Sequence, residues 1–436
     1  MRFICKKPGK KSIAVLRRDE KVISQCLTRE YSVVIERAKG CDVWDADGRK
    51  YLDFAAGVAV AGVGHTNPAV VAAVNKQVKK ALHCGFADFN AEMPVKFVET
   101  LLPLLPKHLN TTFLSNSGTE TIEAAYKCAR WHTKRKWVIA FDPCFHGRTM
   151  GSLSLTMARP VHRERYDPFL PVKHVPYAYP YRFDGSVDEC TTASLSDLEA
   201  TIKLLDNDVA AVFLEPIAGE PGYIVPPREW VRGIRSLCDE HNILLVADEV
   251  QSGCYRTGSF LAISHFNVKP DIVCLSKAIG GGLPLGVTVA RKDVMDWVPG
   301  AHANTFGGNL VACAAGTAAL NEMKRKRLGA NAKRIGTFMI RRLDAMKERY
   351  EIIGDVRGLG LMIGIEFVES KESKRPAIEQ RNAIQCTALE RGLLLLGAGK
   401  SVVRFCPPLV ITKQQAERGL RIFEEAVKEV VKGSKV

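Results

Sequence analysis

The chain has 436 residues, 46% hydrophobic and 25% charged, which is the composition of a folded protein with room for a large domain and a smaller one. No run of eighteen apolar residues occurs, so we expect no membrane span. The net charge of +15 suits nucleic acid, anionic lipid or anionic small substrates, but no nucleic-acid recognition module accompanies it.

The cysteines and the start of the chain bear on location. The 13 cysteines are scattered, with no CxxC pair and no zinc spacing, so we expect no metal site and a reducing cytoplasm. The first residues are basic but lack the apolar stretch and small-residue cleavage site of a secretory signal. We therefore predict a cytoplasmic protein without a targeting signal.

The N-terminal part reads as a small β unit followed by a helix. The turn pair Asp47-Gly48 separates two β stretches, Cys41–Asp45 and Arg49–Phe54. Asn67-Pro68 then supplies an N-cap and a proline suited to the first helical turn. We expect residues 1–66 to form an N-terminal segment that packs with a small domain.

Short apolar runs alternate with helical patterns from about residue 111 to residue 290. Continuous hydrophobicity marks strands buried on both faces, and the alternation with helices predicts an α/β fold with a mainly parallel, doubly wound sheet in a large domain, residues 67–308. The runs are Thr112–Leu114, Trp137–Phe141, Val209–Leu214, Ile243–Ala247, Asp271–Leu275 and Pro284–Ala290.

Ligands bind beyond the carboxyl ends of strands in such a sheet, so the polar residues that follow the strands should meet in one cleft. These residues are Ser115–Thr119, Phe145–Arg148, Glu215, Asp248–Gln251 and Ser276-Lys277.

The sequence after Asn309 predicts a smaller α+β domain, residues 309–436. It contains basic helices, two β stretches (Gly360–Val368 and Leu393–Pro407) and a helix from Lys413 to Lys432. Thr412 and Gln415 form a capping box for that last helix.

Two positions in the predicted cleft suggest chemistry. Ser117-Gly118-Thr119 opens a helix and is either an ordinary cap or a phosphate site, since free N–H groups and the helix dipole favour anions. Lys277 ends an apolar strand before Gly280-Gly281-Gly282. It is either a surface ammonium or an amine whose pKa is lowered enough to form an imine.

Several spaced motifs resemble one known family. They are Asp248–Gly253, Arg256–Gly258, Pro270–Val273 leading to Ser276–Ala278, and Asn304–Asn309. In this order they resemble the class III pyridoxal-phosphate (PLP) aminotransferases, the group that contains the 4-aminobutyrate, ornithine and acetylornithine aminotransferases. The resemblance implies PLP fold type I and a homodimer, or a dimer of dimers, with the active site at the subunit interface.

The resemblance also implies roles for individual residues. Lys277 would form the Schiff base and carry the proton, and Asp248 would hold the pyridine nitrogen protonated. The remaining cofactor contacts would be Ser117, Gly118 and Thr119 on the phosphate, Phe145 stacked on the ring, Gln251 on the phenolic oxygen, and Thr305 of the partner subunit on the phosphate. Arg148 and Arg404 would bind substrate carboxylates, and Glu215 would mask Arg404 while an ω-amino group is handled.

Two reaction types remain open from the sequence. One is transfer of an amino group from an amino acid, such as 4-aminobutyrate, ornithine or acetylornithine, to a 2-oxo acid such as 2-oxoglutarate. The other is racemisation of an amino acid on the same fold, because both reactions need Lys277 and Asp248.

Overall fold

The computed structural model describes Cys5 and residues 7–433. Arg2 and Lys6 of the basic N-terminal stretch lie outside the described residues. The N-terminal part contains α1 (Lys10–Val22), β1 (Ile35–Lys39), β2 (Asp42–Asp45), β3 (Lys50–Asp53), a short left-handed turn α2 (Ala56–Ala59), α3 (Pro68–Val78) and α4 (Glu92–Leu101). The predicted hairpin is confirmed, since β2 and β3 pair antiparallel. Asn67 caps α3, with its side chain accepting from the N–H groups of Ala69 and Val70.

A seven-stranded sheet forms the centre of the molecule, in the order β4-β10-β9-β8-β7-β5-β6. Its strands and helices are β4 (Thr111–Ser115), α5 (Gly118–Thr133), β5 (Trp137–Asp142), α6 (Met150–Leu155), β6 (Val172–Pro176), α7 (Val187–Leu204), β7 (Val209–Leu214), α8 (Arg228–Glu240), β8 (Leu244–Asp248), β9 (Ile272–Leu275) and β10 (Gly286–Ala290). β10 runs antiparallel to both of its neighbours, and the other adjacent pairs are parallel.

The predicted α/β architecture is confirmed, and strand burial explains why. Every residue of β7, β8, β9 and β10 is buried, as continuous apolar runs require when helices cover both faces of a sheet. The edge strand β6 escaped prediction because its sequence, Val-Lys-His-Val-Pro, places polar residues among apolar ones.

The C-terminal part builds a second sheet, in the order β11-β12-β15-β14. Its elements are α9 (Leu310–Arg325), α10 (Leu328–Arg349), β11 (Ile353–Leu359), β12 (Met362–Phe367), α11 (Ile378–Glu390), β13 (Leu393–Leu394), β14 (Leu396–Ala398), β15 (Val402–Phe405) and α12 (Lys413–Gly433). The capping box of α12 is confirmed, because Gln415 N–H donates to Thr412 Oγ1 and Thr412 N–H donates to Gln415 Oε1.

Both ends of the chain contribute to one small sheet. β13 pairs parallel with β3, with Leu393 opposite Leu52, which extends the N-terminal hairpin. Helix α9 packs against α3 and α4 of the preceding part. The residue limits given above for the three segments stay a prediction.

The structure also bears on the cysteines and on membranes. Cys5 forms a disulfide with Cys386 of α11, a pairing for which the sequence offers no spacing signal. The other eleven cysteines are free thiols, most of them buried. No helix in the described part of the chain combines the length and apolar character needed to span a bilayer.

Candidate active site

The carboxyl ends of the parallel strands gather the predicted residues. Asp248 is the last residue of β8 and lies opposite Cys274 of β9, so Lys277 follows only a short distance beyond the same sheet edge. Phe145 and Glu215 come after β5 and β7, and the backbone N–H of Phe145 donates to Glu215 Oε1 at 2.7 Å. A cavity of about 1000 Å³ opens at this edge, and Phe145 lines it.

Asp248 is fixed by a buried histidine. His146 Nδ1 lies 2.8 Å from Asp248 Oδ2, and the side chains are 0% and 5% exposed. The other carboxylate oxygen accepts from Val250 N–H at 3.0 Å. His146 Nε2 has no partner within the described residues. No pattern in the sequence predicts this contact between His146 and Asp248.

Lys277 lies among charged groups in a strained backbone position. Its φ of 45° is unusual for a residue with a side chain. Burial lowers the pKa of Lys277 below its ordinary value, although the nearby carboxylates of Glu220, Asp248 and Glu215 oppose that shift. A larger share of neutral amine, which is the nucleophilic form, is therefore available at a given pH.

The N-terminus of α5 presents backbone donors beside close-packed glycines. Ser117 caps the helix by accepting from Glu120 N–H, while the N–H groups of Gly118 and Thr119 have no acceptor inside the helix. A Cβ added at Gly118 would lie 2.7 Å from Cγ1 of Val250, so only glycine lets this turn approach β8. Such a turn with free donors suits a phosphate.

Gln251 and Phe145 are the other two residues of this chain that the sequence assigns to the cofactor ring. Gln251 is buried, and its Oε1 has no partner among the described residues. A Cβ at Gly219 would lie 2.5 Å from Gln251 Nε2, so the glycine makes room for this amide. The ring of Phe145 makes an edge contact with His162 and lies 5.9 Å from the guanidinium of Arg148.

The sequence predicted that Glu215 covers Arg404, but in the structure Glu220 does so. Arg404, on β15, is bound by Glu220, with Nη1 and Oε1 2.6 Å apart. Glu215 instead turns back to the N–H groups of Phe145 and Gly219, at 2.7 and 2.9 Å. Both glutamates belong to the segment 215–220, and spacing alone does not show which one crosses the cavity to reach β15.

A left-handed turn forms another part of the cavity wall. All four residues of Ala56–Ala59 have positive φ, which costs about 1–2 kcal/mol for each residue other than glycine. Asp53 holds the turn by accepting from the N–H groups of Ala55 and Ala56, and its other oxygen lies 2.6 Å from His65 Nε2. Val58 in this turn lines the cavity.

Thr305 does not belong to the polar residues that follow the parallel strands. It is exposed on the loop before α9 and does not line the cavity. Its neighbour Phe306 is 59% exposed and contacts the ring of His83.

Comparison with known proteins identifies the class to which this fold and site belong. Residues 25–427 match the model of the class III aminotransferase family, and the chain belongs to that family. It is 41% identical to the acetylornithine aminotransferase of Methanopyrus kandleri, over 91% of this chain and 95% of that protein. It is 36% identical to the alanine/serine racemase of Pyrococcus horikoshii, over 99% of this chain and 94% of that protein.

A solved structure shows the same fold. An amine transaminase from an uncultivated Pseudomonas species, described in its PLP-bound form, superposes with a TM-score of 0.88 at 28% identity, covering 94% of this chain and 98% of that one. The family depends on pyridoxal 5′-phosphate.

The residues present fit this cofactor. Gln251 Oε1 is a buried polar atom with no described partner, as expected of a group that contacts a ligand. A Cβ at Gly147 would lie 2.4 Å from Thr119 Oγ1, so glycine lets the loop after β5 approach the N-terminus of α5 closely. An amine, a carboxylate and free helix N–H groups at one sheet edge match the aldehyde, pyridine nitrogen and phosphate of PLP.

Proposed function

We propose that this aminotransferase exchanges amino groups between an ω-amino acid, of the 4-aminobutyrate, ornithine or acetylornithine type, and a 2-oxo acid such as 2-oxoglutarate. The ion pair between Glu220 and Arg404 carries the proposal. A cation that can be covered or exposed serves a site that must accept two unlike substrates in turn. The acetylornithine aminotransferase relative supports the choice of donor.

The cofactor residues have distinct tasks in this proposal. PLP, when bound, supplies an electron sink for the negative charge left at the substrate Cα. Lys277 Nζ would hold the cofactor at its carbonyl carbon and carry the Cα proton, a role that the lowered pKa of Lys277 favours. Asp248, oriented by His146, keeps the pyridine nitrogen protonated. Phe145 would cover the ring, and the side-chain amide of Gln251 would hydrogen-bond the phenolic oxygen.

The phosphate and the substrate carboxylates have their own binding groups. Ser117, Gly118 and Thr119 hold the phosphate at the helix N-terminus. Arg404 binds the carboxylate next to the reacting carbon once Glu220 leaves it, and Arg148 binds a second carboxylate. A planar guanidinium suits this task because it pairs with a carboxylate through two hydrogen bonds.

We also propose a homodimer in the cytoplasm. The exposed apolar side chains of Leu82, Phe89 and Phe306 form a surface that a second copy would cover, and Thr305 would then reach the phosphate of the partner's site.

The eleven free cysteines support a reducing compartment, whereas the Cys5–Cys386 disulfide opposes it. Thiol titration of unreduced, unfolded protein from cells tests the location: 13 thiols support it, and eleven contradict it.

Racemisation is the second candidate, favoured by the alanine/serine racemase relative. Incubation with single L-amino acids in deuterated water, without any 2-oxo acid, separates the two reactions. A transaminase stops after one amino group per site. Continued deuterium uptake at Cα with accumulation of the D-enantiomer would reject our first choice.

The assignment of Lys277 has its own test. Borohydride reduction of the PLP-loaded protein followed by peptide mass mapping should place the cofactor on Lys277, and Lys277→Ala should lose the visible absorption. Lys292→Ala, an exposed lysine beyond β10, is the matched control and should behave as wild type. A label on any other lysine contradicts the proposal.

A further inference from the structure

Four guanidinium groups line the active-site cavity, belonging to Arg29, Arg148, Arg159 and Arg404. Three of them have partners, and Arg29 Nη2 lies 2.9 Å from Asp19 Oδ1. Arg404 is bound by Glu220, and Nη2 of Arg148 lies 3.1 Å from His162 Nε2. The side chain of Arg159 forms no hydrogen bond, ion pair or ring contact with any residue in the described part of the chain, and only its backbone carbonyl is bound, by His162 N–H. It is therefore the cation of this wall that remains available to a ligand.

None of the carboxylates that line the cavity contacts the guanidinium of Arg159. Glu220 binds Arg404, and Asp53 binds His65 and two backbone N–H groups. Glu30 accepts from the side chain of Gln385 and from a backbone N–H. Each of these negative groups has other direct partners, and Arg159 acts on Glu220 only through its charge, so its guanidinium is left without a carboxylate in contact with it.

Two other arginines of the same loop differ from Arg159, because neither of them presents a free guanidinium to the cavity. Arg163 Nη1 donates to the carbonyls of Leu153, Ser154 and Thr156, so its role is to hold the loop. Arg165 is 90% exposed beside Glu164. Arg159 alone of these three lines the cavity.

His162 does not offset the charge. Burial lowers its pKa, and the charges of Arg148 and Arg159 lower it further, so the ring is neutral at physiological pH. Arg148 contacts this neutral ring, and Arg159 lies close enough for its charge to act on it. This arrangement suits an anionic group better than a neutral or cationic one.

We propose that Arg159 is a specificity-determining residue that works with Arg148 to bind the anionic group at the far end of the substrate, while Arg404 takes the near carboxylate. The favoured class is 2-oxo and amino acids with a second carboxylate. This inference rests on the proposed function, because it assumes that Arg404 and Arg148 bind substrate carboxylates.

The test compares two unreactive acids of equal chain length, glutarate with two carboxylates and valerate with one, by calorimetric titration of the PLP-loaded protein. Wild type should prefer glutarate. Arg159→Gln should weaken glutarate binding by about 10- to 100-fold and leave valerate binding unchanged, as expected for one lost charge-assisted contact. Arg159→Lys should recover part of the loss, and Arg165→Gln, which removes the same charge outside the cavity, should match wild type.

Steady-state kinetics add a second readout. Arg159→Gln should raise the KM for 2-oxoglutarate far more than the KM for pyruvate, with little change in kcat. Equal losses for glutarate and valerate, or for both oxo acids, would overturn the inference, since they indicate a general effect on the site.

The outcomes also distinguish a failure of the role proposed for Arg159 from a failure of the proposed function. If wild type prefers glutarate and Arg159→Gln keeps the full preference, Arg159 is excluded and the proposed function stands. If wild type binds both acids equally, the second carboxylate site fails and the inference fails with it. Circular dichroism and the melting temperature confirm that each variant is folded.

Discussion

Glu220 Oε1 lies 2.6 Å from Arg404 Nη1, and the two side chains are only 20% and 6% exposed. Burial acts to raise the pKa of Glu220, but the charge and hydrogen bond of Arg404 outweigh it, and the pKa lies below its ordinary value. The glutamate is therefore ionised at neutral pH and competes with any carboxylate for Arg404. A substrate carboxylate can bind there only after Glu220 moves away.

Glu220→Gln should separate the two half-reactions. With Arg404 uncovered, the KM for 2-oxoglutarate should fall, because no internal anion has to be displaced. The kcat/KM for an ω-amino donor should fall by about tenfold, since the free guanidinium attracts the donor's carboxylate to the wrong end of the site. Half-reactions followed by the cofactor spectrum measure both effects.

The matched control is Glu229→Gln, which removes a surface charge on α8 paired with Arg232. It should leave both half-reactions unchanged. A parallel loss of both half-reactions in Glu220→Gln would argue that the pair holds the fold and does not sort substrates.

The sequence predicted the sheet because burial on both faces leaves a continuous apolar run, as in β7 and β8. It also placed Asp248 and Lys277 at strand ends. It could not assign Glu220, because the path of the loop 215–220 across the cavity depends on tertiary packing. The contact of His146 with Asp248 was missed for the same reason, since His146 lies in the loop after β5 and Asp248 ends β8.

His146 should act as a positioning residue for Asp248. His146→Ala leaves the buried oxygen Oδ2 without its partner, which should lower the free energy of unfolding by about 1–3 kcal/mol. It should also shift the pH profile of the cofactor absorption, because the carboxylate is less firmly held. His146→Asn, whose amide can donate from nearly the same place, should restore most of that profile. Equal profiles for Ala and Asn would leave His146 only a packing role.

The buried carboxylate of Glu249 should make stability depend on pH. Burial raises its pKa to about 7, and its two oxygens accept from Ser252 Oγ and Ile263 N–H. Between the ordinary pKa and this value, the folded state binds a proton that the unfolded state has lost. The free energy of unfolding should therefore decrease as pH rises through that window, by about 3 kcal/mol from this group.

Glu249→Gln isolates that contribution. The amide can still accept from Ile263 N–H and donate to Ser252 Oγ, but it does not titrate. Chemical denaturation at pH 5 and pH 8 should show a smaller difference between the two pH values in the variant than in wild type. A difference as large as that of wild type would show that Glu249 is not the titrating group.

The last prediction concerns the subunits. Thr305 is exposed and away from the cavity of its own chain, so Thr305→Ala should impair activity only if it serves a partner's phosphate site. Mixing Lys277→Ala with Thr305→Ala chains then creates dimers in which one site has both residues intact. After complete exchange of equal amounts, half of the dimers are mixed, so activity should recover to about a quarter of wild type. Native mass spectrometry verifies the exchange. Activity that stays at the mean of the two separate variants, with mixed dimers present, would mean that each chain completes its own site.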